Sequence, residues 1–252
     1  LPGSKDIHWV SKMPQYEPEK IQRVVLKISG EFLAGDRGYG YDHDVLERLA
    51  EELIDIKKLG ISVGIVIGGG NLYRGAKGEA EGLDRVTGDN VGMLATIQNS
   101  LVLNDYIRRM NFQAEVFSAL QCDKVCHFYI PREAEVSLRK GRIVLLAAGT
   151  GNPFFTTDTA AVLRAVELKA DLVLKGTKVD GVFSSDPVKN KKAVFYPEIT
   201  FDEVLAKRLN VMDMTAFSLA RDNNIPIKVF NITKKGNIRA AILKRDEGTF
   251  IY

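Results

Sequence analysis

Lys27 stands near the carboxyl end of the apolar run 23–29, directly ahead of Ile28, Ser29 and Gly30. An ammonium group inside a strand is costly unless it is paired or faces an anion, so the position suits a phosphate. A second apolar run, 61–67, ends in Gly68, Gly69 and Gly70 and leads through Tyr73 to Arg74. Consecutive glycines after a strand let backbone N–H groups close on a phosphate; Arg74 would be a good ligand at the same edge, although a loop arginine is by default solvated. A third group lies in 149–158, where Thr150, Asn152, Thr156 and Thr157 offer hydrogen bonds and Phe154 and Phe155 offer flat apolar surface. That is more than a phosphate needs, and a base or ring could be read there. Asp89 opens a helical stretch, either as a carboxylate complementing the helix dipole or as a ligand for hydroxyl groups.

The elements that must position these groups read as alternating strands and helices. The uninterrupted apolar run 143–148 suits a strand buried on both faces of a parallel sheet. Thr156, Thr157 and Asp158 then offer caps to a helix with the stripe Ala161, Val162, Ala165, Val166 and Leu168. Such a junction sits at the carboxyl edge of a sheet, where a helix N-terminus offers free N–H groups and a positive dipole end. Asp42 caps a helix to Leu59 with Val45, Leu46, Leu49, Leu53 and Ile56 on one face. A longer helix, 86–110, turns Met93, Leu94, Ile97, Leu101 and Ile107 inward and holds Asp89 in its first turn. Further strands are expected at 114–117, 171–175 and 227–230, and further helices at 131–139, 200–209 and 213–223. A last helix and strand close the chain, and 177–187 reads as a loop-rich outgrowth with Asp-Gly and Asp-Pro turns. Between the first strand and first helix, Gly35, Asp36, Arg37, Gly38, Tyr39 and Gly40 form a mobile or sharply turned segment. The expected class is α/β: three layers, helices around a mostly parallel central sheet, in one domain over 21–252. Residues 1–20 show no periodicity and contain three prolines, so they are expected to be poorly structured.

Composition narrows the chemistry. The 252 residues are 45% hydrophobic and 27% charged with net charge +3, and the basic residues are interleaved with acidic ones, which argues against a nucleic-acid stripe. No apolar run reaches the ~18 residues of a membrane helix, so a soluble cytoplasmic protein is expected. Cys122 and Cys126 would share a helix face, but nothing completes a metal set, and reduced structural thiols are the simpler reading. The three histidines lie near no Gly-Xaa-Ser-Xaa-Gly elbow, which leaves a hydrolase triad without support. Tyr73 occupies the third-glycine position of a dinucleotide fingerprint, and no Gly-Lys, His-Arg-Asp or Asp-Phe-Gly occurs, so Walker and protein-kinase motifs are absent.

Taken as an ordered set, 26–31, 66–75, Gly88-Asp89, 149–158, 178–183 and 211–213 resemble the bacterial uridylate (UMP) kinases of the amino acid kinase family. The resemblance runs from about residue 13 to the C-terminus. It implies a homohexameric transferase that uses ATP and Mg2+ to phosphorylate UMP in pyrimidine synthesis. It further implies catalytic roles for Lys27, Asp158 and Arg74, with Asp158 ordering lysine or water. Lys27, Ile28, Ser29, Gly30, Gly70 and Arg74 would meet ATP phosphates, and Thr177, Phe183 and Asp186 would line the adenine and ribose site. Gly69, Asp89, Thr150, Gly151 and Asn152 would bind UMP together with Pro153, Phe154, Phe155, Thr156 and Thr157. UTP would inhibit by competing with UMP, and GTP would activate at a site between subunits linked to Gly35–Gly40. No carboxylate cluster suggests a protein cage for metal, so magnesium would be held mainly by ATP phosphates and water. Two alternatives stay open: a family member with another acceptor, and a catalytically silent nucleotide-binding storage or regulatory protein.

Overall fold

The computed structural model describes residues 16–73, 82–209 and 211–252. The chain opens with β1 (Arg23–Ile28), the short helix α1 (Gly30–Leu33), α2 (His43–Lys58) and β2 (Ser62–Ile67). Then come α3 (Arg85–Arg109), β3 (Ala114–Ser118), β4 (His127–Phe128), α4 (Pro131–Arg139), β5 (Ile143–Ala147) and α5 (Thr157–Glu167). The last third holds β6 (Leu172–Thr177), β7 (Val182–Phe183), β8 (Phe195–Tyr196), β9 (Glu198–Ile199), α6 (Phe201–Ala206) and α7 (Met214–Asp222). It closes with β10 (Ile227–Asn231), α8 (Asn237–Leu243) and β11 (Thr249–Ile251).

Nine of these strands form one sheet in the order β4-β3-β5-β2-β1-β6-β10-β11-β9, parallel throughout except where β11 meets β10. Alternation along a strand sends neighbouring side chains to opposite faces, and β1 shows the result. Val24, Leu26 and Ile28 join Leu46, Leu49, Met93, Ile97 and Ile238 under α2, α3 and α8, while Val25 joins Ala161, Ala165 and Phe217 under α5 and α7. The expected α/β sandwich is therefore present: one mostly parallel sheet between two helical layers.

Local signals set most boundaries. Asp42 accepts the N–H of Asp44 at 3.0 Å and so caps α2, and Pro131 opens α4. Other expectations need correction. Asp84 caps α3 by accepting from Val86 and Thr87, which moves the helix start back to Arg85 and leaves Asp89 beyond the first turn. Leu94, expected inside, is 47% exposed, because α3 turns the side bearing Met93, Ile97, Leu103 and Ile107 to the sheet. Cys122 and Cys126 lie in a turn and not on a helix; they are free thiols, with the Cys126 N–H donating to the Cys122 carbonyl at 3.2 Å. The outgrowth after β6 contains a small antiparallel pair, β7 with β8. Residues 1–15 of the expected loose segment lie outside the described residues, but 16–20 are seated on the fold. Tyr16 is buried, its hydroxyl within 2.6 Å of the Ala241 and Ile242 carbonyls and its ring against Phe250.

That ring also covers a buried cation. Lys228 of β10 has no exposed surface; its Nζ donates to the Arg245 carbonyl at 2.7 Å and lies 4.3 Å from the Tyr16 ring centre. Burial pushes the ammonium down to about 8, against the pull of Glu198, Asp246 and Glu247. A lysine that protonates less readily folded than unfolded costs stability in full below its folded pKa, and the cost fades as pH rises towards the unfolded value. Wild type should therefore gain about 2 kcal/mol relative to Lys228→Met between about pH 8 and about pH 10. Urea unfolding of both proteins at the two pH values measures this, and a pH-independent difference would contradict it.

Candidate functional site

The parallel strands β1, β2, β5 and β6 end at a common edge, and Lys27, Gly68, Gly69, Gly70 and the loop before α5 lie along it. Register sets Lys27 of β1 beside Lys175 of β6, on the face that α5 covers. Two adjacent ammonium groups repel, and the structure places Asp158 between them. Its Oδ1 lies 2.8 Å from Lys27 Nζ and its Oδ2 2.6 Å from Lys175 Nζ. Asp158 is in the first turn of α5, which Thr156 caps by accepting the N–H of Asp158 at 3.0 Å. Burial alone would push the Asp158 carboxyl up, but the charges of Lys27 and Lys175 outweigh it and hold it below the usual carboxylate range. Burial also lowers the Lys175 pKa, with the Lys27 charge adding to the effect and Asp158 opposing it. Two cations and one anion leave the cluster with one positive charge, next to the positive dipole end of α5, whose Asp158 and Thr159 N–H groups the Thr156 hydroxyl caps.

The first glycine turn is built by close approach. A Cβ on Gly30 would fall 2.3 Å from the Gly68 carbonyl oxygen, and one on Gly69 would fall 2.9 Å from the Gly92 carbonyl of α3. The Gly68 N–H donates to the Ile28 carbonyl at 2.9 Å, and Ser29 is the N-cap residue of α1. Below this turn Asn99 donates to Gly68 O and to Asn71 Oδ1, both at 2.7 Å, and Asn71 donates to the Gly40 carbonyl at 2.9 Å. The Gly35–Gly40 segment is thereby tied to the glycine loop; it is sharply turned and holds a 3-10 turn, Gly35–Arg37, with Tyr39 exposed. Gly70 packs beside Glu31. Arg74 lies outside the described residues.

On one side of the cluster is a cavity of about 170 Å3 lined by Gly69, Asp89, Thr150, Asn152, Phe155, Thr156 and Thr157, with Tyr73 and Met93. Gly151, Pro153 and Phe154 shape the loop without lining it. Gly151 sits against Ala119, and Phe154, 66% exposed, has the Arg85 guanidinium 5.6 Å from its ring centre. Asp89 Oδ2 accepts the Phe154 N–H at 2.7 Å and Arg85 Nε at 2.9 Å, so its carboxylate holds the loop as well as facing the cavity. On the other side a cavity of about 480 Å3 is lined by Thr177, Val182, Phe183, Asp186 and Val211, among others. The Thr177 hydroxyl is 2.7 Å from the Val179 carbonyl, and Asp186 accepts the Val188 N–H at 2.9 Å. The cluster joins the two cavities: Asp158 follows Thr157 of the first, and Lys175 donates to the carbonyl of Val211 in the second.

Three contributors escaped the sequence reading. Lys175 carries the same signal as Lys27, a cation at the end of an apolar strand. Asp213 caps α7 at the Ala216 N–H and accepts the Thr159 hydroxyl at 2.8 Å and the Thr156 hydroxyl. Arg164, nearly buried and 3.9 Å over the Tyr129 ring, donates to the Gly149 carbonyl at 3.0 Å. Among the described residues no three His, Cys, Asp or Glu side chains converge as a metal site, and Asp158 has both oxygens against ammonium groups.

The class of the protein comes from comparison with known families. The amino acid kinase family model matches residues 22–231, and the chain belongs to that family. Within it, the chain is 53% identical over 231 residues to the uridylate kinase of Aeromonas salmonicida, covering 92% of this chain and 95% of that one. It is 54% identical over 230 residues to the uridylate kinase of Pseudoalteromonas atlantica, covering 91% and 93%. The crystal structure of UMP kinase from Bacillus anthracis superposes with a TM-score of 0.89 at 41% identity, covering 92% of this chain and 96% of that chain. Uridylate kinase from Archaeoglobus fulgidus gives 0.70 at 26% identity, covering 91% and 99%.

Proposed function

We propose that the protein transfers the terminal phosphoryl group of ATP to UMP, giving UDP and ADP in pyrimidine nucleotide synthesis. The observation that carries this is the Lys27–Asp158–Lys175 cluster set between two cavities. The larger cavity, with Phe183 and Asp186, takes the adenosine of ATP; the smaller, with Asp89 and the loop 149–158, takes UMP. The glycine loop 68–70 and the positive dipole end of α5 take the phosphates, with Arg74 as a further ligand. The attacking oxygen of UMP is already anionic at neutral pH, so no general base is needed; the work is to align two polyanions and offset their repulsion. Lys27 and Lys175 supply that charge, and Asp158 holds both in place. Magnesium bound to ATP would add charge neutralisation on the phosphates.

A coupled assay for ADP release tests the reading. Thr150, Asn152 and Thr157 offer hydrogen bonds suited to O4 and N3 of uracil, and cytosine reverses the donors and acceptors there, so kcat/KM for CMP should be roughly a hundredfold below that for UMP. Comparable values would sink the assignment of the loop, and no turnover with UMP would favour a silent nucleotide-binding protein. UTP shares uracil and ribose with UMP and would push its extra phosphates towards Lys27 and Gly70, so it should inhibit competitively against UMP. GTP activation would work through two oligomer states, with the Asn71 link from Gly40 to the glycine loop as a route. A homohexamer in the cytoplasm completes the proposal. Exposed Leu83, Val86, Val91 and Leu94 on and beside α3 are apolar surface that a subunit contact would cover. No helix among the described residues is long and apolar enough to cross a membrane.

A further inference from the structure

Thr96 lies nearly buried in the middle of α3, and its hydroxyl is engaged on both sides. It donates to the Met93 carbonyl at 2.7 Å, the local bond a helical threonine commonly makes. It also accepts the N–H of Ala148 at 2.8 Å, across 52 residues of chain. Ala148 is where the chain leaves β5 for the acceptor loop, and it does so at φ 61°. In that left-handed conformation a Cβ crowds the backbone, which disfavours any residue other than glycine. Such a conformation persists only where neighbours impose it. Ala148 is wholly buried, and the bond from Thr96 is the side-chain contact that fixes its N–H.

Two other side chains hold the same loop: Arg164 at the Gly149 carbonyl and Asp89 at the Phe154 N–H. Asp89 and Thr96 are seven residues apart on α3 and so share a face. One turn on, Asn99 grips the Gly68 carbonyl and Asn71. A single rigid helix therefore sets the acceptor loop and the glycine loop in one frame. We propose that Thr96 is a positioning residue for the acceptor: its hydroxyl holds the left-handed turn at Ala148 and so fixes the entry of the loop that reads UMP. The proposal rests on the assignment of loop 149–158 to UMP. Thr96 and Asn152 both line the cavity, but the Thr96 hydroxyl is already engaged by the Met93 carbonyl and the Ala148 N–H, and it acts through Ala148.

The test is steady-state kinetics of the full chain with each substrate varied in turn. Thr96→Ala removes the hydroxyl and should raise KM for UMP roughly tenfold, the worth of one lost hydrogen bond, with KM for ATP within about twofold of wild type. Thr96→Ser keeps the hydroxyl and should restore most of the loss. Adding Ala148→Gly to Thr96→Ala should also recover part of it, because glycine takes φ 61° without strain. Should Thr96→Ala fold poorly, Thr96→Val, which keeps the volume, carries the same expectation. Equal rises in both KM values, or a lower Tm with unchanged kinetics, would make Thr96 a stability residue and overturn the role. Asn152→Ala separates the two levels. If it raises KM for UMP while the Thr96 variants do not, only the positioning role falls; if neither does, the acceptor assignment falls with it.

Discussion

In the Lys27→Ala variant, kcat with ATP and UMP should fall on the order of a hundredfold or more, while both nucleotides still bind. Lys27 Nζ lies 2.8 Å from Asp158 Oδ1 with little exposed surface, at the cluster where the proposed function puts phosphoryl transfer. A fixed charge in such a water-poor place acts most strongly on the charge spread over the transferring group, and less on phosphates that each cavity holds by other means. The glycine loop and the start of α5, proposed to hold the phosphates, remain in the variant, so binding should survive. The cluster, however, goes from one net positive charge to none, since Asp158 then cancels Lys175. Steady-state kinetics together with calorimetric titration of each nucleotide separates the two effects. Near wild-type kcat would make Lys27 a packing residue and sink the mechanism; loss of ATP binding with unchanged kcat at saturation would make it a ground-state ligand only.

What could be read ahead of the structure was whatever local chemistry fixes. The run of β5, the cap of α2 by Asp42 and the start of α4 at Pro131 depend on neighbours in sequence, and they lie within a residue of expectation. Lys27, the triple glycine and Thr156 were legible because a cation, a bare backbone or a hydroxyl stood where strand or helix ended. Lys175 obeys the same rule and was passed over, since its meaning comes from sheet order: only when β6 is known to lie beside β1 does it stand next to Lys27. Leu94 misled for the opposite reason, because apolar spacing cannot say which flank of a long helix the sheet will cover. Tyr16 offered no periodic signal at all, and its place is set by Ala241, Ile242 and Lys228, more than two hundred residues away. Arg164 and Thr96 are unremarkable helix residues in the sequence, and they matter because the acceptor loop folds back onto them.

Asp158→Asn should be as damaging as loss of Lys27, and in a way that pH reveals. The amide keeps the shape and can remain in the first turn of α5, but it leaves the ammonium groups of Lys27 and Lys175 side by side with no anion between them. Breaking a buried ion pair by removing one partner costs about 3–5 kcal/mol where the remaining charge stays buried, so a fall in stability of that order is expected, visible in urea unfolding. The cost can be relieved if one lysine releases its proton. Lys175 is the candidate, since burial already lowers its pKa and Asp158 is what opposes the shift. Once neutral, it supplies no charge to the phosphoryl group, and kcat should drop on the order of a hundredfold or more at neutral pH. The ammonium form is the active one and is favoured by acid, so the variant should regain activity as pH falls and lose it as pH rises through the lowered lysine pKa. Wild type should lose activity only at higher pH than the variant, because Asp158 opposes the burial that lowers the Lys175 pKa. The pH dependence of kcat for the two proteins decides the matter: parallel profiles would show that Asp158 does not govern lysine charge, and an unchanged kcat would remove it from the machinery altogether.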